Sequence, residues 1–397
     1  MLGSRPAALQ LGLRANWAQF SLLACLTFLV GLTVGIERVA LPPLAASSFG
    51  ITSLTYTLTF IAAFGLVKAA MNLLAGAWSD RVGRRPLLLA GWLLGLPFPI
   101  LIILAPDWTW IIAANVFVGL NQALAWTMTV TGKIDLVGPR RRGLAVGINE
   151  SSGYAGVGIG SYVGGLAAAS FGLRPAPYVL ALVVLLLGTV ITLGLVHETL
   201  DWARLEAASV ATSAPASPAA ARPVARRGLA GAGDLAGAGG STRAADPAGP
   251  SARAVFRYVS WRDRSLAVVC QAGFVEKFAD TLVWGFFPLY FTRLGQSALT
   301  VGLIAGTYAV TWALLQIPGG ALADRLGRKP PIVGGMLIVA GGIASILLVP
   351  AALGPWMAAA AVIGLGMALL YPNLISAVGD VARPTWRGAA LGAYRLW

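Results

Sequence analysis

The sequence predicts an all-α integral membrane protein built from two pseudo-symmetric helical bundles, with ten full spans, an eleventh that is cut short and no twelfth. Three observations predict it. Apolar residues fall in blocks of about 20 with almost no charge, basic residues gather in the short loops of one side, and the chain repeats itself at an offset of about 245 residues.

Of 397 residues, 57% are hydrophobic and only 11% charged. A soluble domain carries roughly 25% charged residues. Each apolar block is long enough to cross a hydrocarbon core of about 30 Å as a helix, and lipid offers no partner for a free N–H or C=O, so the blocks must be helical. The expected spans are 17–41, 53–77, 86–105, 108–131, 143–169, 176–196, 265–291, 299–322, 331–350 and 355–378. Another begins near Gly388 and stops at Trp397. About 10 helical residues rise only about 15 Å, so a fragment or a truncated chain is expected.

The net charge of +14 is explained by topology rather than by nucleic acid. The short loops of one side carry Arg5, Arg14, Arg81, Arg84, Arg85, Lys133, Arg140, Arg141, Arg142, Arg325, Arg328, Lys329, Arg383 and Arg387; the other side has Arg174 and Arg293. This positive-inside bias predicts a cytoplasmic N-terminus in a multi-pass protein of the inner or plasma membrane. No cleaved leader is expected, because the first apolar run is long and lacks a small-residue cleavage site. Cys25 and Cys270 lie inside spans and read as small apolar residues, not as a disulfide or metal site.

The repeat pairs Cys25 with Cys270, Pro43 with Pro288, Asp135 with Asp380, Arg142-Gly143 with Arg387-Gly388, and Gly147 with Gly392. Two parallel halves related by an axis along the membrane normal are a recurring transporter plan. The expected units are an N-terminal bundle over 1–196, a linker over 197–262 and a C-terminal bundle over 263–397. From Ala207 to Ala254 the linker is dominated by Ala, Gly, Pro, Ser and Arg. Such a segment cannot bury enough apolar surface to order itself, and a largely disordered tether is expected.

Gly76-Ala-Trp-Ser-Asp80-Arg-Val-Gly83-Arg84-Arg85 recurs as Gly320-Ala-Leu-Ala-Asp324-Arg-Leu-Gly327-Arg328-Lys329. These paired segments resemble the signature loop of the major facilitator superfamily (MFS), a family of secondary transporters, between helices 2 and 3 and again between 8 and 9. The glycines permit a tight turn and close helix approach. The resemblance implies alternating access with Asp80 and Asp324 in a cytoplasmic gate. Each carboxylate is expected to face the positive N-terminus of a helix in the other half, near Arg387 for Asp80 and near Arg142 for Asp324. Arg81, Arg84, Arg85, Arg325, Arg328 and Lys329 belong to the same expected gate. Glu198 is expected to join it through Arg140 to Arg142, and Glu150 through the opposite half's loop. Simple anchoring of the loops is the alternative.

The fifth span carries Gly147, Gly156, Gly160, Ser161, Gly164 and Gly165. It resembles the glycine motif of the family's antiporters, in which proline usually stands at the place of Ser161. The fourth span departs from the family's drug–proton antiporters, which usually place an arginine there. It offers Asn115, Asn121, Gln122 and Trp126 instead.

Charges inside a membrane are expensive and mark function by default. Glu37 and Arg38 lie in the first span, Lys68 and Asn72 in the second, and Glu276, Lys277 and Asp280 in the seventh. A carboxylate that loads a proton on one side and unloads it on the other serves a proton-coupled carrier, so Asp280, Glu37 and Glu276 are the proton-coupling candidates. Glu276 and Asp280 share a helix face by their spacing. A structural ion pair of Glu37 or Glu276 with Lys68 or Lys277 stands beside that reading. Arg38, Lys68, Asn72, Asn121, Gln122, Trp126, Lys277, Trp284, Tyr371 and Asn373 are the substrate-cavity candidates, with packing as the alternative for each aromatic.

The leading expectation is a monomeric proton-coupled exporter of a small organic solute. An importer or uniporter of a polar solute, and a non-transporting membrane sensor or remnant, are the alternatives. No nucleotide loop, metal-ligand cluster or nucleophile–base pair points to an enzyme, and no cofactor is expected.

Overall fold

The computed structural model describes residues 9–51, 53, 59–213, 250–283, 287, 290, 291, 294–296 and 298–397, and these residues form helices joined by short turns. Helices stand at the expected places. The N-terminal half has Trp17–Phe49, Thr59–Val82, Arg84–Gly95 continued by Pro97–Leu104, Trp108–Val137, Arg142–Phe171 and Ala176–Leu195. The C-terminal half has Arg264–Thr281, Ala298–Leu326, Lys329–Leu348, Leu353–Val381 and Arg387–Leu396. We number these the first to the eleventh span. Among the described residues, seven helices are long and apolar enough to cross a membrane.

Local chemistry sets several boundaries. Asp107 and Asp263 accept hydrogen bonds from the amides of Thr109 and Leu266, at 2.8 and 2.9 Å, and so cap the fourth and seventh spans. The third span breaks at Leu96, where Pro97 withholds an amide. The second and eighth spans end at Gly83 and Gly327, whose φ angles of 106° and 83° suit glycine alone. The fourth span contains a π-helical turn over Gln122–Trp126. Its extra residue re-aims the side chains that follow, which is why such turns recur at functional sites.

Each half has its own buried core. Trp92, Phe98 and Tyr178 lie in one; Tyr308, Trp312 and Met367 lie in the other. Tyr154 packs against both and so marks the seam between the halves. In lipid, helices associate through close packing of small residues. The first and fifth spans show this: a Cβ at Gly156 or Gly160 would meet the carbonyl of Phe28 or Leu32. Ser161, where proline is usual in the family motif, donates to the Gly35 carbonyl at 3.2 Å and ties the same two helices together.

The halves cross each other twice, in symmetric fashion. The fifth span crosses the eighth at Gly143 and Gly320, and the eleventh crosses the second at Gly388 and Gly76. At both crossings a Cβ would meet the carbonyl of the facing glycine.

One expectation needs correction, and another is described only at its ends. At the ends of the linker, Leu200–Ser213 is helical, as is Ala252–Arg257, which continues into a π turn over Tyr258–Arg262. The middle of the expected tether, residues 214–249, lies outside the described residues. Lys133 is not in a loop. It is fully buried within the fourth span and donates to Thr27 Oγ1 at 2.8 Å and Asn149 Oδ1 at 2.6 Å. The apolar window for that span ends too early, because a buried lysine looks like a loop charge in a hydropathy scan.

Candidate functional site

The face that carries the basic loops holds a charge network with near-perfect internal symmetry. The amides of Gly388 and Ala389 donate to Asp80 at 3.1 and 2.9 Å. Those of Gly143 and Leu144 donate to Asp324 at 2.9 and 3.0 Å. Each carboxylate thus sits on the N-terminus of a helix from the other half, where unsatisfied amides and the helix dipole favour negative charge. Arg84 bridges Asp80 and Asp135 at 3.1 and 2.9 Å, and Arg328 bridges Asp324 and Asp380 at 2.8 and 2.7 Å. Burial penalises the Arg328 charge, but Asp380 and Asp324 more than offset this and hold its pKa above the ordinary arginine value. Finally, Arg387 reaches across to Asp135 at 3.3 Å, and Arg142 reaches across to Asp380 at 3.0 Å.

Glu206, on the linker helix Leu200–Ser213, closes the network. Its Oε1 accepts from Arg387 Nη2 at 2.9 Å and also from Arg142 Nη2. All three residues are buried. Asp135 and Asp380 were legible as repeat mates but carried no gate role in the sequence. Glu206 has no mate and lies beside a low-complexity stretch, so nothing in the sequence singled it out.

Other expected gate members are elsewhere. Glu198 does not meet Arg140 to Arg142. It accepts from the amides of Arg84 and Arg85, at 2.8 and 3.0 Å, and from those of Thr199 and Leu200. It therefore caps the third span from within its own half. Arg81, Arg325 and Lys329 are exposed and form no ion pair among the described residues, and Arg85 donates to the Leu193 carbonyl at 2.8 Å. Length and flexibility let these side chains stay in solvent. Glu150 meets no loop; it pairs with Arg395 at 3.4 Å and accepts from Trp126 Nε1 at 3.1 Å and Asn149 Nδ2 at 3.0 Å.

A second cluster lies in the interior, where the halves meet. Lys277 contacts Glu276 and Asp280, both at 3.3 Å, and its ammonium lies 5.2 Å from the Trp312 ring and 4.2 Å from that of Tyr371. Tyr308 donates to Asp280 at 2.8 Å. Lys277 keeps 43% of its side chain accessible, whereas the Glu276 side chain has none, so the lysine is the accessible member of the pair. Lys68 stands across from it, 5.1 Å from the Phe64 ring and 5.8 Å from that of Trp126. Rings connect the two lysines: Trp126 to Tyr154 at 6.1 Å, Tyr154 to Trp312 at 4.2 Å, and Trp312 to Tyr371 at 5.8 Å.

Several expected cavity residues serve packing instead. Asn121 donates to the Gly91 carbonyl, Gln122 to that of Val30 and Asn373 to that of Leu369. These amides satisfy buried carbonyls that lipid cannot. Asn72 is not paired with Lys68; it accepts from Thr127 at 3.0 Å. Glu37 is buried beside Arg38 and Asn115, makes no ion pair with Lys68, and leaves Oε1 without a hydrogen-bond partner among the described residues. Arg38 is exposed. Trp284 lies outside the described residues. Tyr154, Trp312 and Tyr308 were missed, since single aromatics in apolar helices carry no signal of their own. No group of three or more His, Cys, Asp or Glu that would hold a metal ion occurs among the described residues.

Comparison with known proteins places the chain in a family. A stretch of 137 residues is 41% identical to Multidrug resistance protein MdtH of Yersinia pestis (strain Pestoides F), covering 31% of this chain and 33% of that relative. The protein of the same name from Yersinia pseudotuberculosis serotype I (strain IP32953) matches equally. The matched stretch is thus about one third of the length of these curated relatives. The fold resembles that of the human organic anion transporter MFSD10 (TETRAN), with a TM-score of 0.69 at 18% identity, over 96% of this chain and 90% of that one. It also resembles the proton:xylose symporter XylE, with a TM-score of 0.70 at 15% identity, over 96% and 86% of the two chains. At these identities the likeness is one of fold. The sequence profile of the Major Facilitator Superfamily matches residues 23–397, and the chain belongs to that family of membrane transporters.

Proposed function

We propose that the chain exports a small organic solute in exchange for protons, by alternating access, as a monomer in the inner or plasma membrane. The basic face and the N-terminus lie in the cytoplasm in this reading. The observation that carries it is the reciprocal seating of Asp80 and Asp324 on helix N-termini of the opposite half. Such a lock holds the basic face closed and must be broken for that face to open. Resemblance over one third of their length to proteins named for multidrug resistance supports export. The chemistry of the acids supports protons: Glu37 is buried with one oxygen unpartnered among the described residues, and Glu276 and Asp280 share one lysine. The units proposed are two bundles, 1–196 and 263–397, joined by the linker.

Proteoliposomes with the basic face outward provide the test. An acidic lumen should drive accumulation of the solute, and collapse of the pH gradient should abolish it. Uptake that ignores the gradient, or runs with the protons, would overturn the reading. An importer or uniporter of a polar solute is the second reading. It is favoured by the absence of an arginine in the fourth span, where Trp126 holds Glu150 instead.

A further inference from the structure

We propose that the solute is an aromatic organic anion, whose acidic group is met by Lys68 and whose ring lies along the row of aromatic side chains between Lys68 and Lys277. This deepens the carrier reading and rests on it.

The argument begins with an inventory of interior charge. Glu150 is held by Arg395, and Glu276 and Asp280 by Lys277. Glu37 has Arg38 next to it in the chain and feels its charge. Among the described residues each of these carboxylates thus has a basic neighbour. Lys68 has none of the reverse kind within ion-pair distance among the described residues. The charges around it are Arg395, Arg38, Lys277 and Glu150, three cations and one anion that is already engaged. The field at Lys68 is therefore positive. Lys68 is half-buried; an ammonium partly removed from water is costly without a counter-charge, and aromatic faces offset only part of that cost. A bound anion supplies the missing counter-charge.

The aromatic row defines the rest of the solute. Trp126 and Tyr154 belong to the N-terminal half, and Trp312 and Tyr371 to the C-terminal half. Adjacent ring centroids are 4.2 to 6.1 Å apart, the spacing at which aromatic pairs attract one another. A flat ring is the shape that such a row accepts. The Lys277 end holds one cation and two carboxylates, so the acidic group of the solute is placed at Lys68 and not there. A cationic solute fits poorly, since it must displace Lys277 to reach a carboxylate.

Equilibrium binding to the purified chain in detergent, with no gradient, tests this with three matched probes: 2-naphthoate, neutral 2-naphthol and 2-naphthylmethylammonium. Naphthoate should bind about tenfold or more tightly than the ammonium probe, a difference of about 1.4 kcal/mol. Lys68→Met should weaken naphthoate by a similar factor while leaving 2-naphthol within about twofold, and Lys68→Arg should restore most of the loss. Retained 2-naphthol binding shows that the Lys68→Met variant is folded. Preference for the ammonium probe, an unchanged affinity in Lys68→Met, or no naphthoate binding at millimolar concentration would each overturn the proposal. Binding through Lys68 by a chain that moves no protons would keep this inference and remove only the export reading.

Discussion

Glu150 and Arg395 occupy equivalent positions in the two halves, 245 residues apart, and their side chains meet at 3.4 Å. A two-fold axis carries each of these positions into the other. A residue that touches its own repeat mate must therefore lie close to that axis. Identical charges there would repel, so the repeat is broken at this point into an acid and a base.

The partners are unequal, which predicts an asymmetric result. Arg395→Met leaves Glu150 with the Trp126 and Asn149 donors. Among the described residues, Glu150→Ala leaves a buried guanidinium with no carboxylate at ion-pair distance and an indole N–H with no acceptor. Breaking a buried pair costs about 3–5 kcal/mol, and Glu150→Ala should approach that figure while Arg395→Met stays well below it. Thermal melting in detergent checks the order; equal losses would remove the axial role of Trp126 and Asn149.

The glycine crossings predict a conformational effect with a clean control. At Gly143, a Cβ would meet the carbonyl of Gly320 and the side chains of Arg328 and Asp324. Gly143→Ala should prevent the basic face from closing and lower transport about tenfold or more, equivalent to at least about 1.4 kcal/mol. Gly158 lies in the same helix with open space around it, and Gly158→Ala should transport normally. Comparable transport by the two variants would show that closure does not use this crossing.

The parts of this architecture that were legible in the sequence are those written twice. Asp80 and Asp324 were placed on the opposing helix starts from the repeat together with the family resemblance of the two loops, because helix N-termini favour negative charge. Residues without a mate were harder. Glu198 caps the third span, a job that depends on how the end of the sixth span folds back. Lys133 was assigned to a loop because its partners Thr27 and Asn149 are neutral, and no carboxylate marks its burial. Asn121, Gln122 and Asn373 looked like cavity residues, but lipid makes buried carbonyls compete for every amide.

Glu37 predicts a separation of binding from coupling. It is buried, its Oε1 has no hydrogen-bond partner among the described residues, and its neighbours are Arg38 and Asn115 and not the aromatic row. Glu37→Gln preserves shape and removes the exchangeable proton. Solute binding should survive within about twofold, less than about 0.5 kcal/mol, while gradient-driven accumulation disappears and exchange of labelled for unlabelled solute persists. Accumulation by Glu37→Gln at the normal level would move the coupling role to Glu276 and Asp280.

Glu206 predicts that the linker helix governs the gate. It touches Arg142 and Arg387 together, and these are repeat mates whose positive charges oppose each other. Asp135 and Asp380 each offer one of these arginines an oxygen, but only Glu206 reaches both. With Glu206→Gln the two guanidiniums lose their shared counter-charge, and the basic face should open more readily. A cysteine at Ala382, which is buried at the end of the tenth span, provides the reporter. Its labelling by a maleimide should speed up about tenfold or more in the Glu206→Gln background, a shift of about 1.4 kcal/mol. Asp201 sits on the same helix but pairs only with exposed Arg204, and surface pairs contribute about 0–1 kcal/mol. Asp201→Asn should therefore leave labelling unchanged. Equal labelling in both variants would make Glu206 a passenger, and would place the whole lock in Asp80, Asp324 and the arginines around them.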